Sequence, residues 1–280
     1  MKIKILSDST CDLSKDLLEK YNITLVPLII MKDGKEFSDG VNITPADIFA
    51  HVAAGGGLCS TAALGVGEYQ SWFEKFAGEY DAVIHVNIGS GFSSSYQNAR
   101  LAAMEFDNVR VVDSQNLSTG QGLVVIKLAE LAENCEDLDK LMDEINAFTG
   151  KVEASFLLDQ LQYMVKGGRC SSAAALGANL LNLKPCIEVK DGKMAVVKKY
   201  RGHYDKCLTN YVKDRLQNRE DIDRKHLFVT RTPVNDTCLS AVADAVNSCD
   251  PFENTYWTEA GCTVSCHCGP GTLGVLFVRK

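Results

Sequence analysis

Apolar and polar positions alternate in blocks along the first half of the chain. Short apolar runs at Ile3–Ser7, Leu25–Met31, Ala82–Ile88 and Val109–Asp113 read as buried strands. Between them, Ser14–Tyr21, Pro45–Ala54, Glu68–Phe76, Ser95–Phe106 and Gln121–Glu133 carry apolar residues at helical spacing. Apolar strands separated by amphipathic helices predict a parallel sheet covered on both faces, a doubly wound α/β domain over residues 1–150. The punctuation agrees. Thr44-Pro45-Ala46-Asp47 reads as an N-cap, a proline at the first helical position and an acidic third residue, and Gly55-Gly56-Gly57 stops that helix.

After Gly150 the pattern changes. Phe156–Leu158 is strand-like, Gln160–Lys166 and Ala173–Leu181 are helical, and Lys184–Val189 with Met194–Tyr200 flank Asp191-Gly192, the turn chemistry of an antiparallel hairpin. Strand-like Leu227–Thr230, helical Asn235–Val246, and strand-like Glu253–Glu259, Thr263–Cys268 and Gly274–Arg279 follow. Hairpins with few helices predict a mixed sheet with helices on one side, an α+β domain over residues 151–280.

With 280 residues and a hydrophobic fraction of 46%, the chain has material for two cores of ordinary size. The net charge of −7, with both signs well mixed, gives no basic face for nucleic acid. The apolar run after Met1 is too short for a signal peptide, and no stretch approaches the ~18 apolar residues of a membrane span, so the expected location is the cytoplasm. Eleven cysteines at irregular spacing in that compartment read as reduced residues. Cys262, Cys266, His267 and Cys268 are close in sequence, but if Thr263–Cys268 is a strand its alternation sends the cysteines to one face and His267 to the other. Neither metal nor cofactor is expected.

Candidate chemistry lies in the loops. Gly89-Ser90-Gly91-Phe92-Ser93-Ser94-Ser95 follows a strand and opens a helix, where free N–H groups favour an anion, and Ser94 with Gln97 matches a capping box. Its glycines fit neither a dinucleotide fingerprint nor a Walker loop. Asp8-Ser9-Thr10 ends the first strand, at the sheet edge where ligands collect, and the same edge should carry Gly89–Ser95 and Asp113-Ser114. Lys166-Gly167-Gly168-Arg169 sets a guanidinium on a tight turn, suited to a carboxylate or phosphate. His267 precedes the Gly269-Pro270-Gly271 turn. Hydroxyls plus one imidazole make an anion holder, whereas Ser93 with His267 as nucleophile and base would make a hydrolase or acyltransferase. The hydrolase elbow is absent around Ser93, and no orienting acid is identified for His267.

Taken in order, Ser7-Asp8-Ser9-Thr10-Cys11-Asp12-Leu13, Ser90–Ala99, Val111-Val112-Asp113-Ser114, Tyr163–Arg169, Leu181–Pro185 and His267 with its Gly-Pro-Gly resemble the DegV family of bacterial fatty-acid-binding proteins over the whole chain. The resemblance implies a two-domain cytoplasmic protein that buries a long-chain fatty acid such as palmitate, stearate or oleate, with its carboxylate in the cleft between domains. It implies presentation of that acid to a separate fatty-acid kinase for acyl-phosphate formation, with no covalent chemistry by this chain. By position, Thr61, Ser93 and His267 would hold the carboxylate, Ser9 and Ser94 would stand beside them, and Arg169 would be the nearby cation. A phosphotransfer enzyme, related through the α/β fold to dihydroxyacetone kinases, is a further alternative. Two departures stand out: Thr61-Ala62-Ala63-Leu64-Gly65 replaces a commoner Thr-Ser-Gln-Pro-Ser, and Ser94 stands where glycine is usual.

Overall fold

A computed structural model describes residues 1–176 and 183–280. The first half runs β1 (Ile3–Asp8), a 3-10 turn (Ser9–Cys11), α1 (Lys15–Lys20), β2 (Ile23–Val26), β3 (Ile29–Lys32), β4 (Lys35–Ser38), α2 (Pro45–Ala53), β5 (Ser60–Ala62) and α3 (Val66–Ala77). It continues through β6 (Ala82–Asn87), α4 (Ser95–Ala103), β7 (Val109–Asp113), α5 (Ser118–Ala132) and α6 (Leu138–Thr149). The second half comprises β8 (Val152–Leu157), α7 (Leu161–Gly167), α8 (Ser171–Ala174), β9 (Leu183–Lys190), β10 (Lys193–Arg201), α9 (Tyr204–Leu216), β11 (Ile222–Arg231), α10 (Asp236–Asn247), β12 (Asn254–Glu259), α11 (Cys262–Cys268) and β13 (Leu273–Arg279).

Strands β2-β1-β6-β7 form the expected all-parallel sheet. Every residue of β6 is buried, as a strand covered on both faces requires. The apolar run Leu25–Met31 is two strands, not one. Pro27 has no N–H for a ladder, and after it the chain leaves the parallel sheet; β3 pairs antiparallel with β4 and β5 in a separate three-stranded sheet. Helix α2 has the cap read from sequence, with Thr44 Oγ1 accepting from the Asp47 N–H at 3.3 Å and Asp47 Oδ2 accepting from the Thr44 N–H at 2.8 Å.

The second sheet has the order β10-β9-β8-β13-β11-β12, antiparallel except for the β11–β12 pair. Its hairpin turn is where the sequence places it, with Asp191 and Gly192 both at positive φ (51° and 69°), the geometry that Asp-Gly favours. Alternation along β13 divides the core: Leu273, Val275 and Phe277 face α9 and α10, while Leu276 and Val278 join the cluster around α5. The sheet is therefore covered on both faces, not on one. The second cover, α5, belongs to the first half of the chain and is buried from Ser118 through Ile126, as a helix between two sheets must be.

The largest correction to the sequence reading concerns Thr263–Cys268, which is helix. Its N-terminal donors are met from far away: Asp12 Oδ1 accepts from the Gly261 N–H at 2.8 Å, and Asp39 accepts from the Cys262 and Thr263 N–H groups at 2.9 and 3.0 Å. No local residue announces that cap. The expected helix Ala173–Leu181 begins as α8 at Ser171–Ala174, and its last five positions lie outside the described residues, as do Leu181 and Asn182 of the Leu181–Pro185 motif. Helices α6 and α9 and strands β4 and β5 were not anticipated. None of the helices among the described residues is long and apolar enough to cross a membrane.

Candidate functional site

The carboxyl ends of β1, β6 and β7 lie at one edge of the parallel sheet, and helix α11 and the α7 turn come up against that edge from the second half. Between them is a cavity whose lining includes Thr61, Ser93, Ser94, Arg169 and His267. Five residues singled out from sequence thus meet in one place although they come from four separate segments.

The helical form of α11 is what makes this possible. At 3.6 residues per turn, Thr263, Val264, His267 and Cys268 share the face lining the cavity. Cys262 and Cys266 turn the other way into an apolar cluster with Ile30, Ile48 and Cys59.

His267 Nε2 is 2.8 Å from Thr61 Oγ1, and Nδ1 has no partner among the described residues. Burial, helped by the Arg169 charge, pushes its pKa down to about 4, so the imidazole is neutral near pH 7. A Cβ on Gly167 would come within 2.4 Å of Nδ1; the close approach of α7 to the ring is the physical reason for glycine there. Gly168 caps α7 in the left-handed conformation (φ 69°). Beyond it Arg169 folds back, donating from Nη1 to the Gly167 carbonyl at 2.7 Å and from Nε to the Phe92 carbonyl at 3.4 Å.

In the serine loop, Ser94 makes no cap bond and stands exposed on the rim. The capping falls to Ser93, whose Oγ accepts from the Ser95 N–H at 3.1 Å and lies 2.8 Å from Ser95 Oγ. The Ser94–Gln97 capping box is therefore not formed. Ser93 pairs with Ser95 rather than with His267, so a nucleophile–base contact is absent from the described geometry.

Ser9 lies apart from the cavity lining. Its hydroxyl donates to Asp39 Oδ2 at 3.0 Å and accepts from the Leu28 N–H at 3.1 Å, fastening the turn after β1 to the chain entering β3. Asp8 is fully buried and accepts from the Ile88 N–H at 2.7 Å and Gln121 Nε2 at 2.9 Å, with Thr10 also bonded to it; burial raises its pKa. Both oxygens are engaged in joining β1, β6 and α5.

A second, smaller cavity meets the first at Leu117, Val264 and Cys268. Its walls include Ala154, Phe156, Val189, Ala260 and Leu276, from the inner face of the mixed sheet and the start of α11. Sequence reading missed this apolar extension because its residues look like ordinary core; only the fold leaves space between them.

The family model described as an uncharacterised protein of the DegV family matches residues 2–280. The chain belongs to the DegV family. A DegV domain-containing protein of Clostridium acetobutylicum is 30% identical over 284 residues, covering 100% of this chain and 99% of that protein. Among solved structures, a DegV-family protein from Thermus thermophilus, described by its fatty-acid binding, has a TM-score of 0.91 at 29% identity, with each chain fully covered. A stearic acid-binding protein from Eubacterium ventriosum has a TM-score of 0.83 at 25% identity, covering 99% of this chain and 98% of that one. In this DegV-family chain, Ala62 and Ala63 follow Thr61 along the cavity lining and keep that stretch of wall apolar.

Proposed function

We propose that this protein binds a long-chain fatty acid such as palmitate, stearate or oleate. The carboxylate would sit among Thr61, Ser93 and His267 with Arg169 alongside, and the alkyl chain would run past Leu117, Val264 and Cys268 into the second cavity. One observation carries this reading: hydroxyls, an imidazole and a guanidinium gather on one apolar cavity that abuts another. Withdrawing an alkyl chain from water is worth ~0.8 kcal/mol per CH₂, so the tail supplies affinity, while the polar cluster meets a head group costly to bury unpaired. The fatty-acid binding described for the Thermus and Eubacterium relatives supports it.

We further propose that the protein is a cytoplasmic carrier of two domains, residues 1–150 and 151–280, which hands its acid to a separate fatty-acid kinase and does no covalent chemistry itself. The eleven free thiols suit a reducing compartment, and the exposed Arg169 at the cavity offers a cation to an incoming phosphate donor. The binding reading is tested by purifying the protein without added lipid, denaturing it, and identifying extracted small molecules by mass spectrometry against a matched blank. A near-stoichiometric fatty acid is expected. An empty extract, with no uptake of palmitate, stearate or oleate, would end it. For the carrier role, a fatty-acid kinase with ATP should form acyl phosphate only when this protein is present.

Gly167→Ala is expected to weaken palmitate binding roughly tenfold, because the added methyl displaces the imidazole from Thr61. Titration calorimetry of the variant checks this; an unchanged affinity would mean that α7 gives way instead of His267.

A further inference from the structure

Asp39 directly follows β4, outside the head-group cluster, and its carboxylate joins the two halves of the chain. The residue is only 5% exposed. Oδ2 accepts from Ser9 Oγ at 3.0 Å, from the Thr263 N–H at 3.0 Å and from Thr263 Oγ1 at 2.7 Å, and Oδ1 accepts from the Cys262 N–H at 2.9 Å. Four donors thus meet the four lone-pair sites of one carboxylate. An asparagine offers half that capacity, and its amide hydrogens would face other donors. Ser9, Leu28 and Asp39 also close a ring, because the Leu28 N–H donates to Ser9 Oγ at 3.1 Å and the Asp39 N–H donates to the Leu28 carbonyl at 2.9 Å.

This junction stands directly behind the cavity wall. Leu28 and Thr263 both line the cavity, yet the Thr263 hydroxyl is spent on Asp39. Thr263 is gripped twice by one oxygen, at its backbone N–H and at its hydroxyl, which fixes α11 in rotation as well as in position. His267 lies one turn on, about 6 Å along the axis and on the same face. Rotation of α11 would carry Nε2 away from Thr61 Oγ1, which it meets at 2.8 Å. The polar motif at the end of β1 acquires a use by this route: Ser9 lies off the cavity lining, but it helps to fix the carboxylate that aims the histidine.

We infer that Asp39 is a positioning residue of the head-group site: by seating α11 it sets the distance and angle at which His267 and Thr61 face the bound carboxylate. The inference rests on the fatty-acid reading above and adds what aligns the head-group partners. All four lone-pair sites of Asp39 are taken by the protein itself, so it binds no ligand and acts only through His267.

The test compares palmitate with hexadecanol, which shares the tail but lacks the carboxylate. A general loosening of the fold would weaken both ligands, whereas misaimed head-group partners cost only the acid. Asp39→Asn is expected to weaken palmitate roughly tenfold, to leave hexadecanol within about twofold, and to add less than about twofold to His267→Ala in the double variant. Should Asp39→Asn fail to fold, Ser9→Ala carries the test, since it removes one of the four donors and touches neither α11 nor the cavity lining. It is expected to weaken palmitate about threefold with the same selectivity. Equal losses for both ligands, full additivity with His267→Ala, or unchanged palmitate affinity in whichever variant folds would overturn the positioning role. Failure of the unaltered protein to bind palmitate would instead overturn the fatty-acid reading, and the role of Asp39 in binding with it.

Discussion

His267→Ala should weaken palmitate binding by roughly 2 kcal/mol, about thirtyfold in Kd, measured by titration calorimetry. The substitution removes a direct partner of the proposed carboxylate and also the group 2.8 Å from Thr61 Oγ1, which leaves that hydroxyl free to rotate away. Ser93→Ala should cost less, because it removes one hydroxyl and leaves the Thr61–His267 pair standing. Proton linkage supplies a second signature. In the ligand-free protein, burial holds the imidazole neutral down to about pH 4. A carboxylate placed beside it favours the imidazolium, so acid and proton bind together and affinity rises as pH falls from 7 toward 5. His267→Gln keeps a donor but cannot titrate, and should flatten that dependence. Unchanged palmitate affinity in His267→Ala would take His267 out of the head-group site.

The parallel sheet was legible because its strands are apolar on both faces and its helices are amphipathic, so two periodicities separate cleanly between Ile3 and Asp113. The Asp191-Gly192 turn was legible for a different reason: its chemistry is local. What sequence reading missed depends on distant partners. Helix α11 has seven residues, and its N-terminal donors are met by Asp12 and Asp39, more than two hundred positions earlier; within Thr263–Cys268 nothing distinguishes helix from strand. The break at Pro27 lies inside a continuous apolar run, so periodicity passes through it. At the site, hydroxyls and glycines in loops made Thr61, Ser93, Ser94, Arg169 and His267 visible, and the same cue selected Ser9, whose hydroxyl is committed to Asp39 and Leu28. Loop chemistry marks a residue as unusual without saying which way it faces.

His85 should make the folded chain lose stability as the pH drops from about 6.5 toward 4, relative to a variant that cannot titrate there. The side chain is 0% exposed, with its ring 5.4 Å from Tyr69 and 5.8 Å from Phe73, and neither nitrogen has a partner among the described residues. Burial pushes its pKa down to about 3 from a usual 6.5. Between those values the unfolded chain binds a proton that the folded chain excludes, so the stability present above pH 6.5 is lost at up to about 1.4 kcal/mol per pH unit. His267, lowered to about 4, acts in the same direction over a narrower window. Buried carboxyls oppose them. Asp12, beside Asp39 and Asp8, has its pKa raised by burial to about 8, so its protonated form favours the folded chain and its contribution is lost as pH rises from 3.8 through 8. Asp8 is raised as well and adds to the same opposition. Between pH 4 and 6.5 the histidines and the buried carboxyls act with opposite sign, so the acid limb due to His85 is read as the stability that the unaltered protein loses below about pH 6.5 relative to His85→Leu in denaturant titrations. His85→Leu removes two buried nitrogens without partners and should flatten the acid limb while leaving stability at pH 8 equal or higher. An acid limb unchanged in His85→Leu would mean that the ring reaches solvent, and its protonation would then cost the fold nothing.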